Sequence, residues 1–449
     1  MSQPTPLRHS PYLPFDPEVA LYSSSLGSFT PYEFSDFRTE EESWKTTAYL
    51  HAGLNPASPY RLTGPDALRL LERACVNDFT RFSVGASKHA VMCNTNGHVM
   101  ADGMVLRVGE EEFVSFFLNP YIDYLVATGE YDVTGQDLSG SLFLFQVGGP
   151  ASLDIIQAAT GEDFTDLEFI WHRESTIAHP TTGEPLPVRV FRLGVAGTLA
   201  YEVHGNTDDA PAVYEALMAA GADFGITRLG LRAYGLNHTE NGFAQSFLHF
   251  LPAYTEDADF LAFLGVDAEH VFPRLPGSAG TDVSKRYFTP FELGWGHMVA
   301  FNHDFTGRHA LQATPATRRP VTLIWNPEDV VAVYASQFTP GQQAQFMDFP
   351  ANPIWTAHST IVFADDVLHQ GHPIGISSGR MFSSSYHSMI SLAFLDETLA
   401  QEGTQVEIIW GDPGTHQRHI RATVGRYPML HLPKNRTIDL TRRPSPPAS

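Results

Sequence analysis

The pattern of strands and helices in the sequence changes along the chain, and this change restricts the possible folds. Residues 60–252 alternate short strand patterns with helix patterns, whereas residues 321–432 carry strand and turn patterns alone. Alternation of this kind indicates sheets covered by helices, and a long series of short strands indicates a barrel or a sandwich. We therefore predict an α+β chain that ends in an all-β domain.

Three units follow from these patterns. A compact α+β unit covers residues 60–140, a second unit of strands and helices covers residues 141–252, and the all-β unit begins at residue 321. The first 50 residues are rich in proline, serine and aromatic side chains, which indicates an irregular segment laid over the other units. The proline-rich end of the chain is expected to fray.

Charge and cysteine content exclude several classes of protein. The net charge of −22 repels nucleic acids and anionic membranes over most of the surface. No apolar run approaches the roughly 18 residues that a membrane helix needs. The N-terminus lacks the pattern of a secretion signal, and two cysteines form no disulfide framework. We predict a cytoplasmic protein that binds neither nucleic acid nor membrane; the sequence does not fix its oligomeric state.

Motifs for common cofactors do not occur in the sequence. It contains no His-Glu-x-x-His, no Cys-x-x-Cys, no Walker loop and no Gly-x-Gly-x-x-Gly after a strand. We therefore predict no metal site and no nucleotide site. Residues 375–379 have the wrong spacing for the nucleophile turn of a serine hydrolase, and they lie in the all-β region.

A carboxylate in the middle of a strand pattern is the first candidate for chemistry. Asp102 shares strand parity with Met100, Met104 and Leu106, so it points to the face with the larger apolar side chains. Burying a carboxylate there without a partner costs on the order of several kcal/mol or raises its pKa. Asp102 therefore needs a partner, and both a neighbouring loop and a ligand are open as that partner.

The hairpin that follows supplies a neighbour for this carboxylate. If the turn centres near Glu110, Asp102 lies opposite residue 118 and next to Asn119. Gly103 has no side chain, so a flat ligand could approach the backbone there. The side chains of Asp102 and Asn119 are then expected to lie close together at one edge of the apolar face of the sheet.

Two further positions are weaker candidates. Glu202 interrupts a strand pattern after a glycine-containing turn, where a carboxylate can accept a pair of donors such as those of a pterin edge. A helix predicted over residues 229–238 places Tyr234 and His238 four residues apart on one face. That pair could relay a proton, or the tyrosine could pack on a core histidine.

Five motifs in this order resemble the glycine-cleavage T-protein (aminomethyltransferase) family. They are Asn-Thr-Asn-Gly-His-Val-Met-Ala-Asp-Gly-Met-Val at residues 94–105, Glu202 after a glycine turn, Gly-Trp-Gly at 294–296, Asp-Phe-Thr-Gly-Arg-His-Ala-Leu at 304–311, and Gly-His-Pro-Ile-Gly-Ile-Ser-Ser-Gly at 371–379. The resemblance extends over roughly residues 49–433.

The resemblance implies a three-domain cloverleaf around a central folate site. The implied domains are a discontinuous first domain of residues 1–58 and 141–270, a ferredoxin-like α+β domain of residues 59–140, a connector of residues 271–320, a β-barrel domain of residues 321–435, and a tail of residues 436–449.

The resemblance also implies roles for single residues. The family motif Asn-x-x-Gly-Gly-x-x-Asp-Asp-Leu carries a catalytic aspartate at its second Asp, where this sequence has Asp102, and Ala101 replaces the first Asp. The positions that match the family's cofactor contacts are Asn119, Glu202, Trp295 and Arg232.

The sequence also departs from the amine-transferring members. Gly-Val-Ala-Gly-Thr-Leu-Ala at residues 194–200 replaces the family's Gly-Tyr-Thr-Gly-Glu-Asp-Gly, and the helix after Arg232 has two extra residues before Glu240. Residues 49–61 resemble the branch that demethylates methoxybenzoates such as vanillate and syringate.

The expected reaction moves a methyl group from an aryl methyl ether, such as vanillate, syringate or 3-O-methylgallate, to N5 of tetrahydrofolate. The products are a phenol and 5-methyltetrahydrofolate. His51 and Tyr234 are candidates for protonating the departing phenolate or for positioning the substrate. Tyr22 and His238 are second candidates for the same roles. Two alternatives stay open: a folate-linked transferase that uses an aminomethyl or sulfonium donor, and a non-catalytic folate-binding protein.

Overall fold

The computed structural model describes residues 8–25, 27–194, 197–272, 274–347 and 362–442. The strands in this part of the chain are β1 (Arg8–His9), β2 (Leu21–Ser25), β3 (Ser28–Glu33), β4 (Ala48–His51), β5 (Tyr60–Thr63), β6 (Ser87–Cys93), β7 (Val99–Arg107), β8 (Glu112–Phe116), β9 (Thr134–Asp137), β10 (Leu142–Gly148), β11 (His172–Ala178), β12 (Pro185–Phe191), β13 (Ala200–Asn206), β14 (Ile226–Arg228), β15 (Arg318–Trp325), β16 (Ala364–His369), β17 (His372–Ser383), β18 (Ser388–Asp396), β19 (Gln405–Trp410) and β20 (Arg418–Gly425). The α-helices are α1 (Phe37–Thr46), α2 (Ala67–Ala74), α3 (Tyr121–Ala127), α4 (Ser152–Thr160), α5 (Ala210–Ala220), α6 (Leu231–Asn241), α7 (Ala258–Leu264), α8 (Ala268–Val271), α9 (Arg308–Ala313) and α10 (Pro327–Ser336). No helix among these residues is long and apolar enough to cross a membrane.

A five-stranded sheet in the order β6-β7-β8-β5-β9 carries the strand with Asp102. The turn between β6 and β7 places Gly97 at a φ of 81°, a left-handed conformation that favours glycine. The side chain of Asn94 accepts hydrogen bonds from the main-chain N–H groups of Asn96 and His98, which fixes the turn. The turn sets Cys93 opposite Val99, and an irregularity between Met92 and Cys93 then shifts the register of β6 against β7 by one residue.

A six-stranded sheet in the order β11-β12-β13-β10-β4-β14 forms the opposite wall of the site. β4 and β14 pair in parallel, and the other pairs are antiparallel. All four residues of β4 are buried, as expected for a strand covered on both faces. The sheet therefore holds β4 and β13, which lie far apart in sequence, on either side of β10.

The C-terminal strands close into a barrel in the order β15-β18-β17-β16-β19-β20, with every neighbouring pair antiparallel. The predicted α+β class with a C-terminal β-barrel is confirmed, and the boundaries of the domains stay a prediction. One expectation for this region was wrong, because α10 interrupts the strands. Its N-cap Asn326 accepts a hydrogen bond from the main-chain N–H of Asp329, and Pro327 begins the helix, which is a typical helix start.

The N-terminal segment is more regular than its composition indicated. It forms a three-stranded sheet in the order β1-β3-β2, followed by α1, so the expectation of an irregular segment was wrong. The buried carboxylate of Glu40 on α1 accepts hydrogen bonds from the main-chain N–H groups of Phe34 and Gly230, each at 2.7 Å. The segment thereby fixes the start of α6.

α6 is the central helix of the molecule, and all eleven of its residues are buried. It contacts α1 and β3 of the N-terminal segment and β17 of the barrel. The structure begins this helix at Leu231 and ends it at Asn241, two and three residues later than predicted. Because the helix is covered on every side, its polar side chains must find partners inside the protein.

Candidate active site beside the central helix

One row of side chains crosses three strands of the six-stranded sheet. His51 on β4 lies opposite Gln146 on β10, and Gln146 lies opposite Glu202 on β13. Residues paired in this way share one face of a sheet, and neighbouring strands are about 4.8 Å apart, so His51 and Glu202 are separated by about 10 Å. The hydroxyl of Tyr49 donates to the side-chain oxygen of Gln146 at 2.5 Å. All four side chains are buried.

His51 is held as a neutral ring with one free lone pair. Its Nδ1 lies 2.8 Å from the carbonyl oxygen of Leu229, and since a carbonyl can only accept, Nδ1 carries the proton. Burial lowers the pKa of His51 to about 4, so the ring is neutral at pH 7 and Nε2 is an acceptor. That Nε2 is buried and has no hydrogen-bond partner. The ring stacks on Tyr234 with the centroids 4.3 Å apart.

Tyr234 and His238 face the same space from the central helix. Burial holds the pKa of Tyr234 well above its usual value, so its hydroxyl stays a proton donor at neutral pH. His238 lies 4.9 Å from Tyr234 between ring centroids, and its Nδ1 lies 3.1 Å from the carbonyl oxygen of Phe243. Burial lowers the pKa of His238 to about 3, and its Nε2 also lacks a partner. We call His51, Tyr234 and His238 the neutral end of the site.

Asp102 has a histidine partner on the adjacent strand. Nε2 of His89 on β6 lies 3.1 Å from Oδ2 of Asp102, whereas Oδ1 of Asp102 is buried and has no partner. The ring of His89 packs edge-on against Trp295, with centroids 5.2 Å apart. One oxygen of this carboxylate is therefore available to a ligand.

An unbroken series of ring contacts connects Asp102 to the neutral end. Each step in the series is a centroid separation of 4.3–5.7 Å, apart from one of 5.9 Å. In order, the rings are those of His89, Trp295, Phe243, His238, Tyr234 and His51. Residues from the five-stranded sheet, the six-stranded sheet, the central helix and the loop before α9 thus pack into one continuous cluster of rings.

The hairpin of β7 and β8 follows the predicted register. Met104 pairs with Phe116 in the register that the sequence predicts, but β8 ends there and Phe117 takes a left-handed φ of 66°, so the pairing does not reach residue 118. Asn119 comes next, and its side-chain oxygen is buried without a partner. The expectation for Gly103 was wrong: a side chain there would meet the carbonyl oxygen of Phe116 at 2.0 Å. The glycine makes room for the protein's own backbone and not for a flat ligand.

Glu202 faces the interior and not the solvent. Its Oε2 lies 3.1 Å from Nε2 of His204, and both side chains are buried. The ring of His204 packs against Phe116 with centroids 4.5 Å apart, which brings the two sheets together at this point. We call Asp102, Asn119 and Glu202, with their partners His89 and His204, the carboxylate end of the site. Burial is the main cause of the raised pKa of Tyr234, and Glu202 lies close enough to that tyrosine to raise its pKa further, so the two ends adjoin.

Two predicted residues lie elsewhere. Arg232, predicted to contact the cofactor, pairs with Glu33, and its guanidinium lies 3.7 Å above the ring of Phe37. Tyr22, predicted to contact the substrate, packs against Phe15 and donates its hydroxyl to the carbonyl oxygen of Asp16 at 3.0 Å. Both residues belong to the contacts that hold the N-terminal segment together and against the central helix.

Three polar residues of the site were missed in the sequence. Counting back from the turn, where Cys93 pairs with Val99, would place Ala90 opposite Asp102 and put His89 on the other face. The irregularity between Met92 and Cys93 shifts the register by one residue and brings His89 beside Asp102, so the sequence gives no signal for His89. His204 follows Glu202 by two residues and shares its face of β13. Gln146 gives no local signal, since its place beside His51 depends on the pairing of distant strands.

Comparisons with known proteins identify the family of this chain. A family model described as the GCVT N-terminal domain matches residues 32–247. The chain is 42% identical over 437 residues to sesamin methylene transferase from a Sinomonas species, an alignment that covers 94% of this chain and 95% of that protein. The chain belongs to the aminomethyltransferase (glycine-cleavage T-protein) family. It is a methyltransferase-type enzyme.

Two further relatives and one solved structure are also similar to this chain. Syringate O-demethylase from a Sphingobium species is 31% identical, with 85% of this chain and 84% of that protein covered. Aminomethyltransferase from Bacillus cereus is 25% identical, with 66% and 71% covered. The crystal structure of aminomethyltransferase T from Bartonella henselae superposes with a TM-score of 0.64 at 18% identity, over 92% of this chain and 95% of that one. This likeness confirms the T-protein fold.

Proposed function

We propose that the enzyme transfers the one-carbon group of an aryl ether to tetrahydrofolate and releases a phenol. The observation that carries the proposal is the division of one site into a carboxylate end and a neutral end. The names of two relatives support it, since one specifies the demethylation of syringate and the other a methylene transfer with sesamin. The sequence predicts methoxybenzoates such as vanillate, syringate and 3-O-methylgallate as members of this substrate class.

The carboxylate end fits the ring system of a folate. A pterin presents N–H donors along one edge, and such donors need acceptors. The unpartnered oxygens of Asp102 and Asn119 and the carboxylate of Glu202 are acceptors of this kind. The faces of Trp295 and Phe243, 5.7 Å apart, supply flat apolar surfaces beside them. When bound, tetrahydrofolate supplies the nitrogen that accepts the one-carbon group.

The neutral end fits the leaving oxygen. When the bond between the carbon and the aryl oxygen breaks, the oxygen keeps the electron pair and must take a proton or a hydrogen bond. Burial keeps Tyr234 protonated by raising its pKa, and this also makes it a weak acid, so its hydroxyl assists by donating a hydrogen bond to the leaving oxygen. His51 offers only a lone pair, which an ether oxygen cannot bind, so we assign it to holding the ring of Tyr234 in place by stacking. Asp102 stabilises the charge that develops on the folate amine.

The test combines the purified enzyme with tetrahydrofolate and a panel of methoxylated and methylenedioxy-substituted aromatics. Mass spectrometry then detects the new phenol and the one-carbon folate together. Formation of both products supports the proposal. Binding of tetrahydrofolate with no turnover on any donor would instead favour a non-catalytic folate-binding protein, and turnover with an aminomethyl or sulfonium donor alone would favour the other transferase class.

The relative at 42% identity favours a second form of the reaction. Its name specifies a methylene group, whereas the name of the relative at 31% identity specifies a demethylation. The two forms differ in their folate product, which is 5-methyltetrahydrofolate after methyl transfer and 5,10-methylenetetrahydrofolate after methylene transfer. The same mass spectrum separates the two products because their masses differ.

A further inference from the structure

We infer that the neutral end of the site takes an uncharged aryl ether and discriminates against a methoxybenzoate anion. The inference rests on the proposed function and narrows its substrate class. It depends on where the cationic side chains lie, on which atoms the neutral end presents, and on the side chains packed around it.

Cationic side chains near the central helix already have anionic partners. Arg232 pairs with Glu33. Lys45 lies 3.1 Å from the buried carboxylate of Glu240 and above the ring of Trp44. The segments outside the described ranges contain no lysine, and their one arginine is Arg443 in the tail. A substrate carboxylate would therefore have to compete with an existing ion pair for either of these cations.

Another cationic side chain, Lys434, lies near the C-terminal end of α6. Its Nζ is 3.0 Å from the point where a side chain on Gly197 would begin, and the side-chain oxygen of Asn241 is 2.2 Å from that point. Asn241 is the last residue of α6, seven residues beyond Tyr234. At a rise of 1.5 Å per residue, Asn241 lies about 10 Å along the helix axis from Tyr234 and about 4.5 Å from His238, so Lys434 is the cation that a test must address.

The polar atoms of the neutral end are unsuited to an anion. Nε2 of His51 and Nε2 of His238 are lone-pair acceptors, since the other nitrogen of each ring donates to a main-chain carbonyl. An ionised carboxylate would meet these two acceptors and the single hydroxyl donor of Tyr234, so most of its charge would stay unpaired, whereas an ether or ester brings no charge that needs a partner. The carboxylate of Glu202 lies about 10 Å away across two strands and adds like-charge repulsion in a poorly solvated space.

The side chains that surround the neutral end favour an uncharged ring substituent. Tyr234 belongs to a buried apolar cluster that also contains Met104, Phe116, Leu248 and Met381. Two of these are methionines, whose flexible side chains adapt to ligands of irregular shape. Burying an ester, alkyl or second aryl group there removes apolar surface from water, whereas burying an unpaired carboxylate there is costly.

The first test uses two substrates that differ in one charge. Vanillate and methyl vanillate carry the same ether, and only vanillate is an anion at pH 7.5. With tetrahydrofolate saturating, we expect kcat/KM for the ester to exceed that for the acid by at least tenfold. Equal or better turnover of the acid overturns the inference. If neither compound nor any other ether in the panel gives a one-carbon folate, the proposed function itself has failed.

The second test asks whether Lys434 meets a substrate carboxylate after all. The variant Lys434→Met keeps the length of the side chain and removes its charge. We expect the ratio of kcat/KM between the ester and the acid to stay unchanged within twofold. A selective loss of activity toward vanillate would show that Lys434 binds its carboxylate, and the inference would then be wrong.

Discussion

The two ends of the active site use histidine in opposite ways. At the carboxylate end, His89 and His204 each lie 3.1 Å from a carboxylate oxygen, those of Asp102 and Glu202. At the neutral end, His51 and the histidine on α6 bind main-chain carbonyl oxygens and keep a lone pair on the other nitrogen. Histidine therefore orients a carboxylate at one end and offers a hydrogen-bond acceptor at the other. The group that binds the first ring nitrogen determines which of these roles each histidine has.

The largest effect is expected from neutralising the carboxylate end. Asp102→Asn keeps the size of the side chain and removes its charge, so the charge that develops on the folate amine loses its stabilisation. We expect kcat to fall about 1,000-fold, the scale seen when one preorganised electrostatic group is removed. The rate at which the one-carbon folate forms in a single turnover measures this fall.

Asp123→Asn is the matched control for this change. Asp123 accepts the hydroxyl hydrogen of Tyr60 at 2.7 Å and belongs to neither end of the site. Its variant should retain the rate of the wild type. Full turnover by Asp102→Asn would show that the charge at the carboxylate end is not needed for the reaction.

The next effect is expected from removing the donor at the neutral end. Tyr234→Phe keeps the ring that stacks on His51 and deletes the hydroxyl. We expect kcat to fall about 100-fold, the scale seen when one hydrogen-bond donor to a developing negative charge is lost, with little change in KM. Tyr214→Phe, a buried tyrosine on α5 in another apolar cluster, is the control. An unchanged kcat for Tyr234→Phe would mean that another group protonates the leaving oxygen.

A smaller effect is expected from the partner of Asp102. His89→Phe preserves the packing against Trp295 and removes the hydrogen bond to the carboxylate. We expect kcat/KM to fall about tenfold, since loss of a hydrogen bond to a charged group costs roughly 1.5 kcal/mol. His89→Gln can still donate and should recover part of the loss. Equal defects in the two variants would mean that the ring shape matters and the donor does not.

The sequence predicted features that depend on residues close together in the chain, and it did not predict features that depend on the pairing of distant strands. The register of the β7–β8 hairpin follows from a short turn, and the pairing of Met104 with Phe116 agrees with it. The predicted shared face of Met100 and Met104 was wrong, because the irregularity between β6 and β7 places these two side chains in different clusters. The row of His51, Gln146 and Glu202 joins strands that are distant in the chain, and β-pairing over such distances leaves no periodic signal. Arg232 was placed by motif alone, and its real partner, Glu33, comes from another segment.

The smallest expected effect is a change in how the free energy of unfolding depends on pH, and it tests whether His51 is held neutral. Burial lowers the pKa of His51 from 6.5 to about 4, so the unfolded chain binds its proton more readily and stability falls as pH drops through this interval. One such group makes the free energy of unfolding fall by about 1.4 kcal/mol per pH unit. His51→Gln cannot titrate there, so its denaturant-derived free energy should fall less steeply than that of the wild type between these two pH values. Parallel curves would show that His51 is not held neutral, and the contrast between the two ends would lose its basis.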